Sequence, residues 1–240
     1  MASDIEGIWV RVICIIKVSR VRLPPGVLRL RTGGKSFLLF EFFLLFAGVP
    51  ALILLVRERW LMIAILWGGS MLAYVYLRKA SLRDDGQKVP SGGMIKRVLV
   101  RFAIIAPLVT ILVWAASPTD FLSFPRENPR IWLLVMALYP LLSVWPQEVL
   151  YRALIYKRYS PLFGEGRGYI IASALAFGYM HIIFLNWIAV AMTLVGGYIF
   201  AEDYRKGRSL ALVSIEHALY GCLVFTVGLG RFFYVGAAWG

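Results

Sequence analysis

Charged residues are scarce in this sequence. Asp, Glu, Lys and Arg make up 16% of its 240 residues, whereas 60% are hydrophobic and the mean hydropathy is +0.74. Soluble domains carry about 25% charged residues, so a chain this apolar has too little polar surface to cover itself in water. Intrinsic disorder is excluded as well, because it requires low hydrophobicity. The composition therefore predicts an integral membrane protein.

Cysteine and acidic residues are also few. The two cysteines, Cys14 and Cys222, lie far apart in apolar segments, which excludes a disulfide framework and the ligand spacing of a metal-binding motif. Thirteen acidic residues stand against 26 basic ones, a net charge of +13. In a membrane protein this excess is typical of cytoplasmic loops rather than of a nucleic-acid interface. We therefore expect the lipid bilayer as a partner and no nucleic acid.

Long uncharged runs recur along the chain, and most are long enough for an α-helix to cross a hydrocarbon core about 30 Å thick. The alternating polarity of transmembrane strands is not seen. The sequence predicts an all-α, polytopic helical membrane protein with about seven transmembrane helices around a polar cavity. The predicted spans are 37–56, 60–77, 98–116, 131–156, 168–187, 188–201 and 209–227.

The distribution of basic residues predicts the organisation and the orientation of the chain. When the N-terminal side is placed in the cytoplasm, 20 of the 26 basic residues fall in cytoplasmic segments, which is a clear positive-inside signal. The predicted segments are a basic cytoplasmic arm or interfacial helix at 1–36, three transmembrane helices in 37–130, a helical core at 131–227 and an interfacial tail at 228–240.

Ionisable residues within the predicted spans are the candidates for function, because each one costs free energy in hydrocarbon. Both histidines of the chain are among them. At a rise of 1.5 Å per residue, Glu148, His181 and His217 lie within about 8 Å of one depth in the membrane. Polar groups from three helices at one depth predict a cavity that contains water. The full set is Glu41, Arg101, Glu148, Arg152, His181, Glu216 and His217.

Several of these residues also have a purely structural interpretation. Glu148 and Arg152 are four residues apart on one helix face, so Arg152 can simply neutralise the carboxylate. Glu216 can pair with Arg101 or approach the cavity. Glu41 is expected to make a structural polar contact, and a role in the cavity is the alternative.

The polar residues of the core occur as ordered motifs on three separate spans. The motifs are Glu148-x-x-x-Arg152, Phe177-x-x-x-His181 and the intramembrane His217. In this order they resemble the CAAX protease and bacteriocin-processing family, also called the CPBP or Abi family, which includes the type II CAAX prenyl endopeptidases. The resemblance covers roughly 131–227 and implies a CPBP-like catalytic core there, in a bacterial inner (plasma) membrane.

The resemblance also implies roles for individual residues. In proteolytic members, a glutamate of a Glu-Glu-x-x-x-Arg motif and the histidine of the second motif activate water. The histidine of the third motif and an asparagine four residues later stabilise the oxyanion. Carried over, Glu148 and Arg152 match the second glutamate and the arginine of the first motif, while His181 and His217 match the two histidines.

Two positions depart from the family pattern. Gln147 stands where the family has the first glutamate, and Gly221 stands where it has the asparagine. Glutamine cannot accept a proton at neutral pH, and glycine has no side-chain donor. Either Glu148 acts as the base instead, or the site has an altered geometry, or it has lost proteolysis.

The residues themselves favour peptide hydrolysis. A buried carboxylate and a neighbouring histidine can take a proton from water, and a second histidine, assisted by Gln147, can donate to the oxyanion. The resemblance implies that this chemistry belongs to a CAAX-type glutamic intramembrane protease, and we expect it to act on a membrane-associated peptide or protein without a cofactor.

Three alternatives remain at this point. One is a non-catalytic relative that serves in immunity, as a chaperone or in partner binding. Another is a proton-coupled transporter. The third is a zinc enzyme in which Glu148, His181 and His217 bind the metal, although the chain has no His-Glu-x-x-His motif.

Overall fold

The computed structural model describes residues 34–81 and 91–234. Nearly all of this part of the chain is helical, and it contains no β-strand. The predicted all-α membrane fold is therefore confirmed. The predicted arm at 1–36 lies outside the described residues except for 34–36, and so does the end of the predicted tail, 235–240.

In chain order the helices of the described residues are α1 (Lys35–Val56), α2 (Arg59–Ser81), α3 (Gly92–Ala116), α4 (Ser123–Glu127), α5 (Pro129–Arg158), α6 (Ser160–Phe163), α7 (Arg167–Phe184), α8 (Trp187–Gly207) and α9 (Leu210–Val227). Six of these are long and apolar enough to cross a membrane, namely α1, α2, α3, α5, α7 and α9. A 3₁₀ turn, Leu229–Phe233, follows α9.

The helix bounds differ from the predicted spans in two places. The predicted span at 188–201 falls within α8, which is not among the six helices. The last turns of α8 carry Glu202, Asp203, Arg205 and Lys206, and hydrocarbon disfavours such charges. The polar loop between α2 and α3 is also shorter than its sequence suggests, because α2 continues to Ser81 and α3 begins at Gly92.

Helix α5 is irregular where it carries the first candidate motif. Two segments, Pro140–Val144 and Val149–Leu154, have π-helical hydrogen bonding, and a single α-helical turn, Trp145–Glu148, lies between them. Pro140 and Pro146 have no amide hydrogen, so the regular hydrogen bonds of the helix are missing there. A π turn shifts the register of the side chains that follow it and is frequent at functional sites. Glu148 lies at the junction of two such segments.

Helices α7 and α8 form the most closely packed pair. A Cβ atom placed on Gly197 of α8 would lie 3.1 Å from the Cα atom of Ala174 on α7. Small residues allow this approach of two backbones, as is common between helices in membranes. Phe177 and Phe200 lie beside this contact and are almost completely buried.

The outer helices turn large apolar side chains outward. Leu55, Trp60, Leu72 and Leu112 are all well exposed on α1, α2 and α3. Large exposed apolar surfaces are rare on soluble monomers but suit contact with lipid chains. Most of the buried polar residues lie on α5, α7, α8 and α9, inside this apolar shell, whereas Ser70 lies on α2.

Candidate active site

Glu148 of α5 and His217 of α9 meet in the interior of the helix bundle. The Oε1 atom of Glu148 lies 2.8 Å from Nδ1 of His217, and the Glu148 side chain is 0% exposed. A carboxylate can only accept a hydrogen bond, so Nδ1 of His217 carries the proton and donates it. The Nε2 atom of the neutral imidazole is then an acceptor. The structure thus brings two of the predicted site residues into direct contact.

Arg152 faces the same carboxylate from one helical turn further along α5. Its Nε atom lies 3.2 Å from Oε2 of Glu148, and its Nη1 atom donates to Oγ of Ser173 at 2.7 Å. Ser173 in turn donates to the backbone carbonyl of Tyr151, and the guanidinium group lies over the Phe177 ring, 4.6 Å from its centroid. Contacts from both α5 and α7 therefore hold Arg152 beside Glu148.

His181 lies near His217 but is not hydrogen bonded to it. Its Nδ1 atom donates to the backbone carbonyl of Phe177 at 2.7 Å, which leaves Nε2 as the acceptor. Both imidazoles contact the Phe177 ring, whose centroid lies 4.8 Å from that of His181 and 5.4 Å from that of His217. One aromatic side chain of α7 therefore packs against both histidines.

Aromatic side chains enclose both histidines. The Phe200 ring stacks on His217 at a centroid distance of 4.9 Å. Phe184 and Phe233 cover His181, at 5.6 Å and 6.0 Å. Phe233 belongs to the segment predicted as an interfacial tail, so the start of that tail reaches the site. Its sequence gives no sign of this, since membrane anchors are also rich in aromatic residues.

Gln147 and Gly221, which depart from the family pattern, have very different surroundings. The Nε2 atom of Gln147 donates to Oγ of Ser143 at 2.7 Å, and its buried Oε1 atom has no partner among the described residues. Gly221 lies against Tyr139, whose ring and hydroxyl group would overlap a Cβ atom at position 221. The Tyr139 hydroxyl lies 3.2 Å from Nε2 of His217. Tyr139 was not among the predicted site residues.

The geometry does not assemble a metal site from the predicted ligands. Across 34–81 and 91–234, no three His, Cys, Asp or Glu side chains come together in a way that could hold a metal ion. His181 is held by a backbone carbonyl, and Glu148 accepts the proton of His217. The three side chains predicted as zinc ligands therefore do not converge on one point in the structure.

A second buried ionic cluster lies one residue away from His217. Arg101 of α3 binds the carboxylates of Glu216 on α9 and Asp203 on α8, and its Nε atom lies 3.1 Å from Oε1 of Glu216. Glu216 was predicted either to pair with Arg101 or to approach the cavity, and the structure shows the pairing. Asp203 is an additional member that the sequence analysis did not single out. The cluster joins three helices and fixes the position of the residue before His217.

Glu41 makes the structural polar contact expected of it. Arg158 donates to both carboxylate oxygens of Glu41, at 2.9 Å and 2.7 Å, and the Tyr159 hydroxyl donates to one of them at 2.8 Å. These bonds join the first turns of α1 to the end of α5. Glu41 thus has partners of its own, separate from those of Glu148.

Residues 129–223 match a family of known proteins. The family is described as type II CAAX prenyl endopeptidase Rce1-like. The match confirms the resemblance to the CPBP family, and it includes all five predicted site residues. No curated protein and no solved structure matches the chain. The Rce1-like match supports a function of the CAAX-type intramembrane protease kind, and with the six apolar helices it indicates an integral membrane protein.

Proposed function

We propose that this protein is an intramembrane endopeptidase that hydrolyses a peptide bond of a membrane-associated peptide or protein. The observation that carries the proposal is the hydrogen bond between Glu148 and His217, in a fully buried position within the Rce1-like segment. A carboxylate that orients an imidazole through Nδ1 leaves Nε2 ready to accept a proton. This arrangement suits the activation of water.

In the proposed reaction, His217 acts as the general base and Glu148 as the group that orients it. The Nε2 atom of His217 takes a proton from water, whose oxygen adds to the scissile carbonyl carbon. The carbon–nitrogen bond then breaks, and the proton passes from His217 to the leaving nitrogen, which gives a carboxylic acid and an amine. Glu148 stabilises the imidazolium that exists between these two steps.

Other predicted site residues have supporting roles in this proposal. Arg152 holds the Glu148 carboxylate in place through the contact between Nε and Oε2. His181 presents Nε2 as a second acceptor for the same water. Gln147 donates a hydrogen bond to Ser143 on the same helix, so in this proposal it stabilises the local shape of α5 and takes no part in proton transfer.

We also propose that the protein lies in a bacterial inner (plasma) membrane with the N-terminal side of the chain in the cytoplasm. The support is the concentration of 20 of the 26 basic residues on that side. Glu148 is ten residues before the end of α5, or about 15 Å along the helix from that side. Because half of a hydrocarbon core about 30 Å thick is about 15 Å, the proposed cleavage takes place near the middle of the bilayer.

The test is proteolysis by purified protein in vesicles that contain fluorogenic membrane-tethered peptides. We expect Glu148→Gln and His217→Ala each to lower kcat by about 10²–10⁴-fold, since general base catalysis contributes that much. Glu165→Gln is the matched control, because Glu165 is an exposed carboxylate that pairs with Arg208 away from the site. Equal cleavage by wild type and both site variants would remove the proposal. A chelator arm tests for a metal, and reversible loss of cleavage would restore the zinc alternative.

One observation favours the second candidate, a non-catalytic relative that binds a partner through the same group of residues. Both carboxylate oxygens of Glu148 already face protein groups, His217 and Arg152, so the carboxylate itself does not face open space. If this candidate is right, Gln147→Glu creates cleavage where the wild type has none, because it adds a carboxylate beside the pair. If Gln147→Glu leaves an active wild type unchanged, the endopeptidase proposal is favoured.

A further inference from the structure

Tyr139 is the one additional polar group that touches the Glu148–His217 pair among the described residues. Its hydroxyl lies 3.2 Å from Nε2 of His217, the atom on the opposite side of the imidazole from Glu148. Because Nδ1 carries the proton of the neutral ring, Nε2 accepts and the Tyr139 hydroxyl donates. Glu148, His217 and Tyr139 thus form a continuous chain of hydrogen bonds.

The surface of α9 is shaped to receive Tyr139. His217, Gly221 and Phe225 follow one another at intervals of four residues, which places them on one face of the helix. The Tyr139 ring packs edge-on against Phe225 at 5.2 Å and lies over Gly221, where a Cβ atom would overlap it. Glycine at 221 is therefore what allows the Tyr139 hydroxyl to reach His217.

We propose that Tyr139 supplies the hydrogen bond to the oxygen of the scissile carbonyl as negative charge develops on it. This inference rests on the proposed endopeptidase function. In the resting site the hydroxyl donates to Nε2 of His217. When substrate and water bind, the water takes the place at Nε2, and the Tyr139 hydroxyl turns to the carbonyl oxygen beside it.

The chemistry of this step needs no further reactant. Water bonds to the carbonyl carbon, its proton moves to Nε2 of His217, and the carbonyl oxygen becomes an oxyanion that accepts the Tyr139 hydrogen bond. Tyr139 keeps its own proton throughout. When the carbon–nitrogen bond breaks, the carbonyl re-forms and the hydroxyl returns to His217. A donor that bonds more strongly to the oxyanion than to the neutral carbonyl oxygen stabilises the transition state more than the bound substrate.

The decisive variant is Tyr139→Phe, which removes the hydroxyl and keeps the ring that packs on Gly221. We expect kcat to fall by about 10²–10³-fold with little change in KM, as for the loss of one oxyanion donor. Tyr156→Phe is the matched control on the same helix, because its hydroxyl donates to Glu165 at 2.6 Å instead. That control is expected to keep the wild-type kcat. An unchanged kcat in Tyr139→Phe would overturn the proposal.

A second measurement separates this proposal from the proposed function. The chain has two histidines, so protein labelled with ¹⁵N at histidine gives two sets of imidazole signals. We expect Tyr139→Phe to shift the Nε2 signal of His217 and to leave that of His181 in place. No shift would overturn the contact whatever the kinetics show. If the shift occurs but the wild type cleaves no peptide, the contact between Tyr139 and His217 is supported and the proposed function is wrong. The role of Tyr139 as an oxyanion donor is then wrong as well.

Discussion

Arg152 is the largest fully buried side chain of the described residues. It faces Glu148, donates to Ser173 and lies over the ring of Phe177. A buried ion pair adds little net stability compared with apolar residues of the same size, yet the loss of one partner leaves an unpaired buried charge. The effect of replacing Arg152 on stability therefore depends on whether position 148 still carries a carboxylate.

This dependence gives a prediction for Arg152→Met. We expect it to destabilise the protein by about 3–5 kcal/mol, since it leaves the Glu148 carboxylate buried without a cation. The double variant Glu148→Gln/Arg152→Met is expected to be more stable than Arg152→Met alone, because neither charge remains. Thermal unfolding in detergent micelles measures both. Additive losses in the double variant would contradict the prediction, and Arg205→Met, in the partly exposed pair with Glu202, serves as the control.

At the scale of helices, hydropathy predicted the elements well, because a membrane span needs an uncharged run of known length. The same reasoning placed Glu148 and His217 at one depth, and the structure shows them in contact. Depth along a helix does not give rotation around it, however. The contacts of Tyr139 and Asp203 depend on that rotation, and the π turns of α5 alter it in a way that composition does not reveal.

The ionic cluster around Arg101 is the structural link between α3 and the helices of the site. Arg101 contacts the buried carboxylates of Asp203 and Glu216, and Glu216 directly precedes His217. Arg97, one turn earlier on α3, is about half exposed and lies 3.9 Å from Asp203. The two arginines share a helix and a partner but differ in burial, which makes them a matched pair for substitution.

We expect Arg101→Met to destabilise the protein by about 3–5 kcal/mol, because two buried carboxylates lose their cation. Arg97→Met is expected to cost less than about 1 kcal/mol, as for other exposed pairs. The proteolysis assay is expected to follow the same order, since a shift of Glu216 displaces His217. Equal melting temperatures for the two variants would show that the cluster does not join the helices as described.

At the scale of the whole molecule, ion pairs at or near the ends of helices fall into two groups, one on each side of the membrane. Glu41 with Arg158 and Glu165 with Arg208 join helix ends on the side where the basic residues concentrate. The ion pair of Asp120 with Arg231 joins segments on the opposite side. Each of these ion pairs thus joins two segments that the proposed orientation places on the same side of the membrane.

The proposed orientation predicts which ends a membrane-impermeant thiol reagent can reach. Cys14 and Cys222 are first replaced by serine, and a single cysteine is then placed at Glu58 or at Gly166. Both positions are exposed, and a Cβ atom at Gly166 meets nothing within 4 Å. We expect Glu58→Cys to be labelled on intact spheroplasts and Gly166→Cys only in inverted vesicles, because the basic side faces the cytoplasm. The reverse pattern would show that the chain has the opposite orientation in the membrane.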